Sequence, residues 1–213
     1  MHIMNKEKYN PLQLREIFHL EFLRWLGKKV SPSHYALKGG VNLRFFYNSF
    51  RYSEDMDLNE RLIRVDVLQD KVMQILKSAS FQNNLQPFGI DKIIPPDIAK
   101  AKQTKTTQRF YDIVSMVSQK IDALIARKII QPRDVFDLYI LSAQIEPADK
   151  EKIKLSLEKI NKSRENIFEI SFEEFRDIVI SYLSEDDQKI YNSPQSWDEI
   201  KLKAVNFIEE FKK

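Results

Sequence analysis

The sequence predicts an α+β fold, with a small mixed β-sheet in the N-terminal half and a C-terminal helical bundle. Only four glycines and eight prolines occur in 213 residues, and long stretches carry apolar residues at helical spacing. Two short segments, near residues 36 and 57, have the pattern of strands instead. A change of pattern near residue 110 divides the chain into residues 1–110 and 111–213, and we expect the second part to complete a cleft.

The composition narrows the chemistry available to the chain. With 43% hydrophobic residues it can bury a core, and a net charge of +3 singles out neither nucleic acid nor a membrane surface. There are no cysteines and only three scattered histidines, so a metal site must use oxygen ligands, which favours Mg²⁺ or Mn²⁺. No apolar run is long enough to span a membrane and the start does not resemble a signal peptide, so we expect a cytoplasmic protein with no membrane partner.

Hydrophobic periodicity predicts the elements in chain order. Residues 12–26 form an amphipathic pattern, which we expect to be a helix that ends at Gly27. A strand over residues 35–37 leads into Gly39-Gly40 and a helix whose aromatic residues (Phe45, Phe46, Tyr47 and Phe50) are expected in the core. A second strand covers residues 54–59. Further helices are predicted over residues 65–76, 112–129, 133–143, 147–161, 172–183 and 197–212.

Asp55 and Asp57 are the first candidates for a chemical site. In a strand, side chains two residues apart lie on the same face, so both carboxylates can hold one or two divalent cations that bind a triphosphate. The alternative is an acidic edge strand that faces solvent.

Lys38, Gly39 and Gly40 precede this pair at the end of a strand. Glycines allow the backbone to approach a ligand closely, and the N-terminus of the following helix offers free N–H groups to a phosphate. The alternative is a simple tight turn, which the aspartates downstream make less attractive.

The stretch KGGVNLRFFYNSFRYSEDMDL resembles the nucleotidyltransferase family that includes the AbiEii and AbiGii toxins. The resemblance implies a small sheet of the nucleotidyltransferase, polymerase-beta-like type within residues 1–110. It also implies a metal held by Asp55 and Asp57. Nucleotide contacts are expected from the residues of the glycine turn and the lead-in to the aspartates, namely Lys38, Gly39, Gly40, Arg51 and Ser53.

The stretch QKIDALIARKIIQPRDVFDLY is similar to the second signature of this family, which falls on Lys120, Arg133 and Asp134. Lys120 and Arg127 are seven residues apart, which places them two turns along one helix face, about 10 Å apart. Lys120 is expected to hold a β- or γ-phosphate, with Arg127 or Arg133 assisting or binding RNA phosphate. The alternative for Lys120 and Arg127 is a solvated helix face.

Asp134 lies at a helix start, where a carboxylate can complement the helix dipole. The resemblance implies that it is also an active-site residue, either a base or a group that orients the lysine. Asp137, one turn later, is expected to be structural.

Local charge supports a nucleic-acid acceptor. Residues 98–133 contain eight lysines or arginines and two aspartates, a net charge of +6. Such a strip can guide an RNA backbone, although a lysine-rich soluble loop is the alternative. The segment DIAKAKQTKTTQRF, which overlaps this strip, also resembles one branch of the family.

One departure from that branch concerns the third acidic residue that such enzymes often add. The hairpin with a glutamate that we expect between Arg109 and Lys120 is missing from the sequence. Either two aspartates and the substrate phosphates suffice, or Asp91, Asp97 or Asp112 substitutes, or the site is weakened.

The resulting hypothesis is a metal-dependent transfer of a nucleoside monophosphate from an NTP to RNA. The resemblance implies the tRNA 3′ end as acceptor, a toxin-antitoxin or abortive-infection setting, and a cognate antitoxin protein. One alternative is an inactive or catalytically weak protein that binds RNA or a partner protein on the same scaffold. An Asp-x-Asp glycosyltransferase is another, but it gives no reason for Gly39-Gly40 or for the second signature.

Overall fold

The structure is a computed structural model that describes residues 9–93 and 111–213. These residues fall into two compact units, the first comprising 9–41 and 53–93 and the second comprising 42–52 and 111–213. The described residues are mostly helical and contain one two-stranded antiparallel sheet. The predicted α+β class is therefore confirmed, but the mixed sheet we expected is a purely antiparallel pair in the described residues. Residues 42–52, which we assigned to the N-terminal part, cluster with the second unit.

The first unit contains three complete helices and the sheet. Its elements are α1 (Pro11–Lys29), β1 (Tyr35–Lys38), β2 (Asp57–Glu60), α3 (Val65–Leu76) and α4 (Ala79–Leu85), followed by a 3₁₀ turn at Gln86–Phe88. The strands pair so that Tyr35 is opposite Glu60 and Lys38 is opposite Asp57. The prediction of α3 was correct to the residue, whereas β2 begins three residues later than predicted.

The first helix continues past the glycine at which we expected it to end. It starts at a capping box in which Asn10 accepts a hydrogen bond from the backbone N–H of Gln13 and the Gln13 side chain bonds back to Asn10. At the other end, the N–H of Val30 still donates to the carbonyl oxygen of Leu26. A glycine inside a helix costs only about 1 kcal/mol relative to alanine. Burial of Leu26 and Val30 outweighs that cost.

An apolar core holds α1, α3 and α4 together. Phe81 lies at its centre and makes edge-to-face ring contacts with Phe18, Phe22 and Trp25, with ring centroids 5.9–6.3 Å apart. His19 is also buried in this unit, on α1. Burial favours the neutral form of its imidazole, because an apolar environment disfavours the imidazolium ion.

The second unit is helical. It contains most of α2 (Gly39–Phe46), then α5 (Ile113–Ala126), α6 (Pro132–Ser142), α7 (Pro147–Lys150), α8 (Leu157–Glu169), α9 (Phe172–Ile178), α10 (Glu185–Tyr191) and α11 (Pro194–Glu209). A 3₁₀ turn follows α9 at Ile180–Tyr182. None of the helices within the described ranges is long and apolar enough to cross a membrane.

The structure of this unit differs from the predictions in three details. The helix predicted over residues 147–161 is two helices, because Ser156 caps a new start by accepting from the N–H of Lys159 and Leu155 forms a β-bridge with Lys212. Helix α10 was not predicted. Phe46, expected in the core, has 51% of its surface exposed, because α2 ends there.

Stacked aromatic rings fill the core of the second unit. Trp197 on α11 lies parallel to Phe175 on α9, with ring centroids 4.2 Å apart, and Phe175 contacts Phe136 on α6. The indole N–H of Trp197 donates to the carbonyl oxygen of Ile170 at 3.1 Å, so burial of the ring leaves no unsatisfied donor. This core holds α6, the helix that carries Asp134 and Asp137.

The buried His19 predicts an acid-sensitive fold. Burial, assisted by the charge of Arg15, lowers the pKa of His19 from 6.5 to about 4. The folded state therefore favours neutral imidazole, and the stability it contributes is full above pH 6.5 and is lost as the pH falls towards 4. We expect the urea-unfolding free energy of the wild type to fall by up to about 3 kcal/mol over this window relative to that of His19→Leu. Parallel pH dependences for the two proteins would contradict this assignment.

Candidate active site

The glycine turn after β1 brings the backbone of Gly39 against the carboxylate of Asp57. Gly39 has a φ of +68°, a left-handed conformation that glycine adopts without the steric penalty of a Cβ atom. A Cβ atom built on Gly39 would lie 2.6 Å from Oδ2 of Asp57. Asp57 is also the cross-strand partner of Lys38. Glycine is therefore needed at position 39 for two reasons: it allows the backbone conformation, and it leaves room for the Asp57 carboxylate.

Asp55 does not share the strand with Asp57. It lies in a bend before β2, where the Ser53 hydroxyl donates to the backbone carbonyl oxygen of Asp55 at 2.9 Å. The expectation that period two would place both carboxylates on one strand face was therefore wrong, because the strand begins only at Asp57. Both aspartates are exposed, so their carboxylates are open to solvent and to a ligand.

Two of the three candidates for an additional carboxylate, Asp91 and Asp112, lie in the described residues. Asp112 caps α5 by accepting from the N–H of Ser115 at 2.7 Å, Asp91 is exposed beyond α4, and Asp97 lies outside the described residues. Within residues 9–93 and 111–213, no three acidic or histidine side chains form a group that could hold a metal ion. The predicted basic residues Lys100, Lys102, Lys105 and Arg109 also lie outside the described residues.

In the second unit, Lys120 on α5 is held between two aspartates of α6. Its Nζ lies 2.9 Å from Oδ1 of Asp134 and 2.5 Å from Oδ2 of Asp137. The Lys120 side chain is 12% exposed and both aspartates are almost fully buried. Asp134 and Asp137 are three residues apart in a helix, so they lie on one face and reach the same ammonium group.

Arginines continue this network at both ends. At one end, Asp137 also accepts from Arg51, with Nη2 lying 3.0 and 3.1 Å from the two carboxylate oxygens and Nε 3.3 Å from Oδ1. At the other end, Nη1 of Arg127 bonds to Oδ2 of Asp134. Three cations and two carboxylates thus give the network a net charge of +1. Its exposed end is Arg127, with 40% of the side chain accessible to solvent.

Electrostatics keep both central groups ionised. Burial alone would lower the pKa of the Lys120 amine, but the negative charges of Asp137 and Asp134 outweigh it and the pKa is raised above its usual 10.5. Burial alone would likewise raise the pKa of Asp137, but the charges of Arg51 and Lys120 hold it below its usual 3.8. Around neutral pH, Lys120 is therefore a fixed cation.

The structure brings together some, but not all, of the residues of the second signature. Lys120 and Asp134 are in direct contact, and Arg127 reaches Asp134 although it follows the last residue of α5 and is not on a regular helix face. Arg133 is half-buried at the second position of α6, and no carboxylate in the described ranges forms an ion pair with it. The Arg51 guanidinium is bound to Asp137 and its side chain is 6% exposed, and its predicted contact with a nucleotide stays a prediction.

Two features were not expected from the sequence. Asp137 is the bridge between Arg51 and Lys120, and its spacing from Asp134 was the available signal. Glu60 on β2 is 3% exposed, and neither of its carboxylate oxygens has a hydrogen-bond partner among residues 9–93 and 111–213. Glu60 is three residues from Asp57 along β2 and therefore lies on the opposite face of the strand, about 10 Å away.

The model of one protein family matches more than half of the chain. It is the nucleotidyl transferase AbiEii toxin family of type IV toxin-antitoxin systems, and the match covers residues 78–203. The chain belongs to this family. No curated protein and no solved structure matches the chain.

Membership of the AbiEii family confirms the resemblance and identifies the chain as a nucleotidyltransferase toxin. It also implies a nucleotide substrate and an antitoxin partner. The matched range contains the whole second signature, from Lys120 to Asp134, and extends through α10 into α11. The match begins after Asp57. The case for Gly39, Asp55 and Asp57 as site residues therefore rests on the geometry of the turn and not on the family match.

The close approach of Gly39 to Asp57 predicts a strong effect of a single methyl group. In Gly39→Ala the methyl group must displace the Asp57 carboxylate and the backbone must keep a left-handed conformation, so we expect a loss of about 1–2 kcal/mol in unfolding free energy. The matched control is Gly27→Ala, where nothing lies within 4 Å of the added Cβ, and which should gain about 0.5–1 kcal/mol. Equal effects of the two substitutions in urea unfolding would contradict the geometry of the turn.

Proposed function

We propose that this toxin transfers a nucleoside monophosphate from an NTP to an RNA acceptor, the 3′ end of a tRNA, in a reaction that requires Mg²⁺ or Mn²⁺. The observation that carries the proposal is the buried, protonated Lys120 between Asp134 and Asp137. Lys120 and both aspartates lie in the range that matches the nucleotidyl transferase family. A fixed cation of this kind suits the charge that develops on a departing pyrophosphate.

Asp55 and Asp57 are proposed to hold the metal ion. Their carboxylates are hard oxygen donors of the kind that Mg²⁺ prefers, and both are exposed. The absence of a side chain at Gly39 lets the Asp57 carboxylate lie against the glycine turn, where α2 begins, so the residues fit a cation with a bound phosphate. When bound, the metal would neutralise phosphate charge and polarise the phosphorus centre.

Other residues are proposed to bind the nucleotide. The backbone at Gly39 and Gly40 opens α2, whose first N–H groups suit a phosphate, with Lys38 next to them in the chain. Ser53 shapes the bend that presents Asp55. Lys120, Arg127 and Arg133 supply positive charge to the phosphates or to the RNA backbone.

In the proposed reaction an acceptor hydroxyl oxygen attacks the α-phosphorus. A new O–P bond forms, the bond between the α-phosphorus and the bridging oxygen breaks, and pyrophosphate leaves with the bonding electron pair. The hydroxyl proton must pass to a base. Asp134 already accepts from Lys120 and Arg127, which favours a role in orienting the lysine over a role as that base.

Label transfer tests the metal and lysine roles. Wild-type protein, incubated with labelled NTPs, total tRNA and Mg²⁺, should label the RNA, and a chelator should abolish the label until Mg²⁺ is restored. We expect Asp57→Asn and Lys120→Met each to lower the rate by at least about a hundredfold. The matched controls are Asp66→Asn and Lys159→Met, which change exposed, ion-paired residues and should leave the rate unchanged.

Full activity in Asp57→Asn would overturn the metal assignment, and full activity in Lys120→Met would overturn the phosphate assignment. Loss of labelling after periodate oxidation of the tRNA, which destroys the terminal diol, would support the 3′ end as acceptor. Unchanged labelling would place the acceptor elsewhere on the RNA. Magnesium-independent RNA binding without any labelling would favour a binding protein on this scaffold.

A further inference from the structure

The buried pair of Arg51 and Asp137 has no task in the reaction as proposed so far. Arg51 is 6% exposed and Asp137 is fully buried. The guanidinium donates to both oxygens of the carboxylate, and its remaining nitrogen, Nη1, lies 3.3 Å from the carbonyl oxygen of Tyr52. Two-point donation of this kind fixes the orientation of a carboxylate as well as its position.

The orientation of Asp137 matters because Asp137 also holds Lys120. An ammonium group has three N–H donors, and in the described part of the chain its partners are Asp137 and Asp134. These two contacts fix the direction of the third N–H. A change in the position of either carboxylate therefore redirects the donor that would meet a phosphate.

Stability alone does not explain the pair. Replacing a buried ion pair with apolar residues of similar volume is often neutral or stabilising. Asp137 also lies between two cations, Arg51 and Lys120, and its charge is needed to keep both of them in a buried place. The arrangement is therefore suited to setting the geometry of Lys120.

We propose that Arg51 and Asp137 are positioning residues for Lys120: Asp137 directs the ammonium group, and Arg51 holds Asp137 in place. This role rests on the proposed function of Lys120 as the group that binds a phosphate of the NTP. Neither residue is assigned a contact with the substrate.

The two residues have opposite electrostatic effects on Lys120, which separates positioning from a merely structural role. The charged groups that face the ammonium are Asp137, Asp134 and Arg51; the aspartates raise the pKa of Lys120, and Arg51 lowers it. Asp137→Asn should lower the Lys120 pKa, because it removes the negative charge that has the larger effect on the ammonium group. Arg51→Gln should not lower it, because that change removes a neighbouring positive charge.

The first measurement is an NMR titration of the Lys120 Cε signal in the free full-length protein, assigned with Lys120→Arg. In the wild type the signal should titrate above the pH at which an ordinary lysine titrates, and in Asp137→Asn it should titrate at lower pH. The second measurement is steady-state kinetics, in which Asp137→Asn should lower kcat by about a hundredfold with a smaller change in KM. Arg51→Lys, which keeps the charge, should recover part of the activity lost in Arg51→Gln.

The matched control is Asp122→Asn on α5, which removes an exposed carboxylate paired with Lys159 and should change neither measurement. The inference would be overturned if Asp137→Asn had the same Lys120 pKa and the same kcat as the wild type. If Lys120→Met were inactive in the same assay, the proposed function would still stand. Full activity in Lys120→Met would overturn the proposed function itself. If Asp137→Asn does not fold, the Arg51 variants test the positioning role instead. A wild-type kcat in Arg51→Gln would then overturn the inference.

Discussion

The ion pairs between Lys120 and the two aspartates of α6 are the interaction on which the second unit depends. They join α5 to α6 through side chains that are almost completely removed from water. A buried charge without a partner is strongly destabilising, so Lys120 requires a carboxylate beside it and each aspartate requires a cation. The arginines at the two ends extend this constraint to residue 51 and to the end of α5.

The same arrangement gives the second unit its chemical character. Three cations against two carboxylates leave one positive charge, and the exposed member of the network is Arg127. Most of the charge of the network is therefore neutralised within it, which allows its burial. The remaining positive charge can bind a phosphate. In the first unit, the corresponding constraint is steric, since the Asp57 carboxylate occupies the place where any residue other than glycine would have a side chain.

The spacing of apolar residues predicted those helices and strands whose formation depends on nearby residues. The apolar spacing of residues 65–76 gave α3 correctly, and the strand at Tyr35–Lys38 was found to within one residue. Helix α10 was missed even though Ser184 and three acidic residues mark its first turn. Gly27 was overvalued as a stop signal, because its weak propensity is outweighed by burial of the neighbouring residues.

The candidate site was predictable only in part, for a similar reason. The contact between Lys120 and Asp134 joins helices that follow each other in the chain, and the family signature contains both residues. The pair of Arg51 and Asp137 joins residues 86 positions apart, and no local pattern encodes such a partner. Asp55 was placed on the strand by period two, but the alternation does not reveal where a strand begins.

A double-mutant cycle on Arg51 and Asp137 tests most directly whether the charges of this network hold the unit together as a set. Unfolding of the second unit can be followed through Trp197 in a Trp25→Phe background. We expect Asp137→Leu alone to lose about 3–5 kcal/mol, because it leaves Arg51 buried and unpaired. The further change Arg51→Met should restore at least about 1 kcal/mol, since it removes the unpaired charge and leaves Lys120, Asp134 and Arg127 together. Additive losses within about 0.5 kcal/mol would contradict the account.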